Sequence, residues 1–168
     1  PACEQTPASR SADLLDGLHP ASDDYRIIHV DEELLVVDKP TRMLSQPGVG
    51  ADKKDSLITR LNLAYPSARI VHRLDWETSG LMVIALNAAS HRALSIQFQE
   101  RQTEKTYIAV VHGHLSATSG CVDAPLAANW NDKPRQIVTP EGRPSLTHWR
   151  CLGFAGNTSR VELMPVTG

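Results

Sequence analysis

His72-Arg73-Leu74-Asp75-Trp76-Glu77-Thr78-Ser79-Gly80 is the stretch from which the rest of the chain can be read. It gathers a cation, a carboxylate, hydroxyls and a terminal glycine into one polar segment. A short apolar run, ARIV (68–71), leads into it, and a second, LMVIAL (81–86), leaves it. Two such runs read as strands able to hold both ends of a reactive loop. Beyond them AASHRALSIQFQER (88–101) has helical spacing, with Ala89, Ala93 and Ile96 on one stripe and Leu94 and Phe98 beside it.

Working outward, YRIIHVD (25–31) and ELLVVDK (33–39) are β-branched runs split at Asp31-Glu32, which predicts a hairpin. Pro40 ends the second run because it has no N–H for a ladder. TRMLSQPGVGADKK (41–54) is a long loop. DSLITRLNLAY (55–65) predicts a helix capped by Asp55 or Ser56, with Leu57, Leu61 and Ala64 on one face and Pro66 as its stop. Downstream, TYIAVVHGH (106–114) is a strand. From about Gly120 strand-like pieces (QIVTP, THWRCLG, SRVELMPV) alternate with turn residues. Residues 1–24 read as an arm with a helical turn near Asp13–Leu18, and residues 25–168 as one domain. The fold class is α+β, a mostly antiparallel sheet with a few flanking helices.

The 168 residues are 41% hydrophobic and 21% charged, which excludes disordered, collagen-like and disulfide-scaffold classes. No apolar run is long enough to span a membrane, and the first residues lack the basic-then-apolar pattern of a secretory signal. The three cysteines, Cys3, Cys121 and Cys151, form no zinc pattern and suggest a reducing, cytoplasmic setting. His112 and His114 would share one face of a strand, but no third metal ligand stands near them. The net charge of −2 divides into −5 over residues 1–55 (6 basic, 11 acidic) and +3 over 56–168 (11 basic, 8 acidic). A polyanion would have to be held by a local patch.

Several chemistries fit poorly. HRLD is close to the kinase HRD loop, yet the glycine-rich loop, the spaced Asn and DFG are missing. GVGADKK lacks the phosphate-loop pattern. There is no GxSxG or HExxH, and Ser79 has no evident base. From the residues alone Asp75 is either a reactive carboxylate or a cap for the Thr78 and Ser79 amides. Arg73 is either a ligand-facing cation or an ion pair with Glu77. Trp76 packs on its loop or stacks on a ligand, and Tyr107 is core or a stacking face. The turn Trp130-Asn131-Asp132-Lys133-Pro134-Arg135 is solvated or grips an unpaired nucleic-acid loop.

Four ordered segments carry a resemblance. HRLDWETSGLMVIALN resembles the HRLDxxTSGL signature of the RluA family of pseudouridine synthases. IIHVDEELLVVDKPTRMLSQPG is similar to that family's opening hairpin and its NKP-G-LS-PG loop. EKTYIAVVHG is similar to its K-x-Y-x-A-x-V-x-G strand, and VELMPVTG to the run before its G-R-T/S-H-Q-L-R motif. DAPLAANWNDKPRQIVTPEGRPSLTHW most resembles the member with both rRNA and tRNA substrates.

The resemblance implies that Asp75 is the catalytic carboxylate, with Tyr107 packing on the target uracil and its hydroxyl assisting proton transfer. It implies that Arg73 enters the RNA stem, and that His72, Thr78, Trp130, Lys133 and Arg135 contribute RNA or substrate contacts. It implies no cofactor and no metal. The expected partner is structured RNA, a tRNA anticodon stem-loop and/or large-subunit rRNA, without membrane and without a required oligomer. No S4-type RNA-binding domain is expected. The family places an arginine directly after the glycine matching Gly168, where this chain stops, so the family fold is expected to be incomplete at the C-terminus. The rival readings are an RNA-binding module without chemistry and an Asp-dependent hydrolase of a small nucleoside.

Overall fold

The structure, a computed structural model, describes residues 6–7, 24–50, 53–133 and 135–167. The expected helical turn at Asp13–Leu18, and most of the expected arm, lie outside them. The described residues fall into two compact units divided between Gln102 and Thr103, with Thr6–Pro7 joining the second. Every strand pair is antiparallel.

In the unit before Gln102, β2 (Arg26–Val30) and β3 (Leu34–Lys39) form the expected hairpin. Asp31 closes its turn, one carboxylate oxygen accepting from the N–H groups of Glu33 and Leu34, both at 2.8 Å. With β4 (Arg69–Ile70) and β5 (Gly80–Ala85) these strands make a sheet in the order β2-β3-β5-β4. Side chains alternate across a strand, so Leu35, Val37 and Lys39 share the inward face of β3 and all three are fully buried. Met82 and Ile84 of β5 and the helical Leu57 and Leu61 complete this core. Each such apolar side chain contributes about 1.5–3 kcal/mol relative to exposure.

The helix expected over 55–65 is shorter: α1 spans Leu57–Leu61. Ser56 is its cap, in a reciprocal box with Thr59. Residues 62–64 turn away and leave Ala64 exposed, because Pro66 disfavours the helical conformation at Tyr65. The second helix, α2, spans Ala88–Gln99 and is capped by Asn87, whose side chain accepts from Ser90 N–H at 2.9 Å. Its stripe differs from expectation. Ala89, Ala93 and Ile96 are exposed, while Ser90, His91, Leu94 and Phe98 face inward. The Asn87–Ser90 box turns Ser90 into the unit, and Leu94 and Phe98, at successive steps of four, follow it.

In the unit after Gln102, β6 (Tyr107–His112), β7 (Ala117–Asp123), β10 (Leu146–Ala155) and β11 (Thr158–Pro165) join β1 (Thr6–Pro7) in the order β1-β7-β10-β11-β6. Trp149 lies opposite Gly120, where a Cβ would come within 2.9 Å of the indole, so this pair needs glycine. A separate hairpin pairs β8 (Leu126–Ala128) with β9 (Gln136–Val138). β6 ends at His112, so the two histidines do not share a strand face. His112 meets Asn157, and His114, past Gly113, meets the Gly156 carbonyl. Cys151 is a free thiol. No helix among the described residues is long and apolar enough to cross a membrane.

Candidate active site

The loop between β4 and β5 alternates inward and outward side chains. His72 points into the unit: its Nε2 accepts from Val83 N–H at 3.0 Å and its ring stacks on Phe98, centroids 4.4 Å apart. Leu74 is buried too, whereas Arg73 and Asp75 are exposed. The two inward residues anchor the segment, and the two exposed side chains project from between and after them. Gly80 starts β5 at φ +126°, a conformation that disfavours any side chain, which explains the glycine that closes the motif.

A second loop clasps this one. Ser45, 4% exposed, donates from Oγ to the Leu74 carbonyl at 2.5 Å and accepts from Leu74 N–H at 3.1 Å. Thr41 Oγ1 donates to the Glu77 carbonyl at 2.8 Å. The clasping loop is held from beneath by Lys39, whose Nζ donates to the carbonyls of Pro40 (3.0 Å) and Met43 (2.8 Å). Burial pushes the Lys39 ammonium below the ordinary lysine value of 10.5, and the negative charge of Asp75 pulls it part of the way back. A buried cation thus faces the loop that carries the carboxylate.

These contacts bear on the alternatives for the loop. Its turn is closed by backbone, Thr78 N–H donating to the Asp75 carbonyl at 3.1 Å. The Asp75 carboxylate is hydrogen-bonded to neither the Thr78 nor the Ser79 amide, and Arg73 and Glu77 form no ion pair. Asp75 therefore presents an exposed carboxylate that the turn does not consume. Trp76 is 47% exposed.

The remaining expected site residues belong to the other unit. Tyr107 opens β6 opposite Leu163, half-buried on the face it shares with Ala109 and Val111. Trp130 and Lys133 stand on the turn joining β8 to β9. Trp130 is 77% exposed, and Lys133 Nζ lies 3.9 Å from its ring centroid. Arg135 is ion-paired with Asp132 at 2.9 Å. The turn is closed by its own backbone, Asn129 N–H donating to Arg135 O at 2.8 Å.

Sequence reasoning missed Lys39 and Ser45. The alternation Leu35, Val37, Lys39 already aimed the lysine inward. Ser45 falls in the segment that resembles the family's NKP-G-LS-PG loop, but its partner, 29 residues away, cannot be read from that segment.

Comparison with known proteins identifies the family and the fold. The family model described as RNA pseudouridylate synthase matches residues 33–168. The chain is 46% identical over 144 residues to the dual-specificity RNA pseudouridine synthase RluA of Salmonella typhi, covering 84% of this chain and 66% of that protein. It is 42% identical over 161 residues to the RluA of Vibrio vulnificus, covering 92% and 64%. The chain thus spans just under two thirds of the length of these relatives. The solved structure of human RNA pseudouridylate synthase domain containing 1 superposes with a TM-score of 0.72 at 26% identity, covering 90% of this chain and 63% of that one. Human RNA pseudouridylate synthase domain containing 4, at 23% identity and a TM-score of 0.66, shares the fold. With the signature loop, its clasp and the flanking strands all inside the matched span, the chain belongs to the RNA pseudouridylate synthase family.

Proposed function

We propose that this chain carries the catalytic aspartate of an RNA pseudouridine synthase, which converts a specific uridine in structured RNA to its C-glycoside. The observation that carries the reading is the Asp75 carboxylate, exposed and unspent on its own turn, on a loop whose neighbouring residues are buried and clasped. Isomerisation breaks the N1–C1′ bond, turns the uracil, forms C5–C1′ and releases the hydrogen from C5. A carboxylate serves this chemistry as a nucleophile at sugar or base, or as a proton acceptor. The target base must first leave its stack, which costs a few kcal/mol. The exposed Arg73 guanidinium is suited to fill the gap, since it stacks and hydrogen-bonds in one plane.

Tyr107 supplies an aromatic face for the displaced uracil, and its hydroxyl assists proton transfer. Thr78 lies in the turn that Asp75 opens and lines the same site. The turn at 129–135 contributes binding through an exposed indole and two cations, the combination that unpaired RNA favours. The substrates proposed are a tRNA anticodon stem-loop and/or large-subunit rRNA, met in the cytoplasm, with no cofactor required. The RluA relatives are named dual-specificity RNA pseudouridine synthases, which supports more than one RNA target.

The test is release of tritium from RNA labelled at uridine C5, using the full-length protein. Release that stops with Asp75→Asn supports the proposal. No release from any tRNA or large-subunit rRNA transcript, where a known synthase works, overturns it. RNA binding that persists without product would instead favour a binding module, and turnover of free uridine a nucleoside hydrolase.

A further inference from the structure

We infer that Ser45 is a positioning residue for Asp75, acting through the backbone of Leu74; the inference rests on the catalytic reading of Asp75. A hydroxyl offers one donor and two acceptor sites. Ser45 uses both kinds on a single residue, donating to the Leu74 carbonyl at 2.5 Å and accepting from its N–H at 3.1 Å. Leu74 immediately precedes Asp75, so holding both polar groups of its backbone fixes the direction in which the next residue leaves the chain. Ser45 does here what a neighbouring strand would do in a sheet, at a point where the reactive loop has left β4 and not yet entered β5.

The serine can only transmit position because it is itself immobilised. The carbonyls of Leu44 and Ser45 accept from the first-turn N–H groups of α1, Leu57 at 2.7 Å and Ile58 at 3.3 Å. The Met43 carbonyl is held by Lys39 Nζ at 2.8 Å. Met82 Sδ of β5 lies 3.5 Å from the hydroxyl. Three consecutive carbonyls of the clasping loop are thus tied to β3 and α1, and the hydroxyl extends that framework to the reactive loop. Ser45, Leu74, Met43 and Met82 are buried, where an interaction is not loosened by competing water. The exposed Thr41–Glu77 bond lies on the far side of Asp75 and lacks this protection.

A purely supporting serine and a positioning serine differ in what their loss changes. The full-length protein with Ser45→Ala should bind RNA with wild-type KM and Kd, while kcat per folded molecule falls about tenfold to a hundredfold, the scale of a misplaced catalytic group. Ser45→Cys keeps the volume but offers weaker bonds, and should fall between serine and alanine in kcat. It carries the same comparison should the alanine variant fail to fold. A kcat for Ser45→Ala, or for Ser45→Cys in that case, within twofold of wild type after correction for the folded fraction by circular dichroism would overturn the inference. An equal rise in KM with unchanged kcat would overturn it too. Asp75→Asn, run alongside, separates the two levels: its retained turnover would remove the catalytic reading itself, whereas its inactivity beside a fully active Ser45→Ala removes only the role of Ser45.

Discussion

The loop at 72–80 and the turn at 129–135 both present charged and aromatic side chains to solvent, but they are built in opposite ways. The first is anchored by His72 and Leu74, clasped by a buried serine and faced by a buried lysine, over a core with several fully buried side chains. The second is closed by its own backbone and by the Asn129 side chain, which accepts from Asn131 N–H, while Lys133 and Arg135 make an exposed cation–π contact and an exposed ion pair. Such surface contacts contribute about 0.5–1 kcal/mol or less, so Lys133 and Arg135 can exchange their partners for phosphates at little cost. A reacting carboxylate profits from a fixed direction, whereas a binding surface that must adapt to RNA profits from loosely held side chains. The contrast predicts that the first region responds to substitution in rate and stability, and the second in affinity alone.

The largest effect is expected at Asp75. Asp75→Asn should lower turnover at least a hundredfold, the low end of what a positioned acid or base contributes. RNA affinity should hold, and stability should change by less than about 0.5 kcal/mol, because an exposed carboxylate with no hydrogen bond to its turn is being replaced. Chemical denaturation and tritium release on one preparation check both halves. A loss above roughly 2 kcal/mol would return Asp75 to the role of a structural cap.

Lys39→Met tests the buried side of the contrast. Two carbonyls lose their donor, at about 1–3 kcal/mol each, partly offset by no longer burying an ammonium. A net loss of about 2 kcal/mol is expected, with a fall in kcat. The variant also has a pH signature. Burial lowers the Lys39 pKa below 10.5, so in the window between the folded value and 10.5 the unfolded chain binds more protons and wild-type stability rises with pH. That rise should be missing in Lys39→Met when unfolding is followed on the alkaline side.

Tyr107→Phe should bind RNA normally, with any rate loss reporting the hydroxyl. Tyr107→Ala should lose about 1–3 kcal/mol of binding if the ring stacks on a base. Two variants that bind like wild type but melt early would make Tyr107 core.

Replacing both Lys133 and Arg135 with Ala should weaken RNA binding and flatten the salt dependence of log K by about 0.7 per lost contact on single-stranded RNA. Saturated turnover and melting temperature should stay put. An unchanged slope would make this turn a solvated one and break the contrast.

The smallest effect is expected at the hairpin turn. Asp31 has its pKa lowered by the hydrogen bond with His29, and further by the N–H groups of Leu34 and Glu33. The stability it lends is present above the ordinary value of 3.8 and is lost as pH falls through the lowered folded value. Asp31→Asn should therefore narrow the difference in melting temperature between pH 6 and pH 3 slightly, leaving turnover untouched.

Much of this was legible in the residues. Alternation and turn chemistry located the β2–β3 hairpin, the strand after Gly80 and the strand at Tyr107. The loop at 72–80 stood out by composition alone. The helix faces were less legible. Counting apolar spacing put Ala89, Ala93 and Ile96 inward, yet a local capping box turned Ser90 in instead. The helix after Ser56 reads too long because its apolar spacing continues to Ala64, whereas the helix ends at Leu61. The pairing of His112 with His114 failed because the strand ends between them.

What the sequence determined by itself is therefore local: the strands, their alternation, the glycine that lets the loop turn at φ +126°, and the chemistry offered by His72 to Gly80. Period and turn preference depend on neighbours a few residues apart, so they can be read without the fold. Tertiary structure alone decided which of those groups are buried and partnered and which are exposed. Ser45 reaches Leu74 across 29 residues and Thr41 reaches Glu77 across 36. Lys39 gains its buried place near Asp75 only when the β3–β5 pairing brings the loops that follow and precede those strands together. Contacts at such separations form when burial of a common core outweighs the entropy of closing the intervening chain, and that balance is written in no single segment.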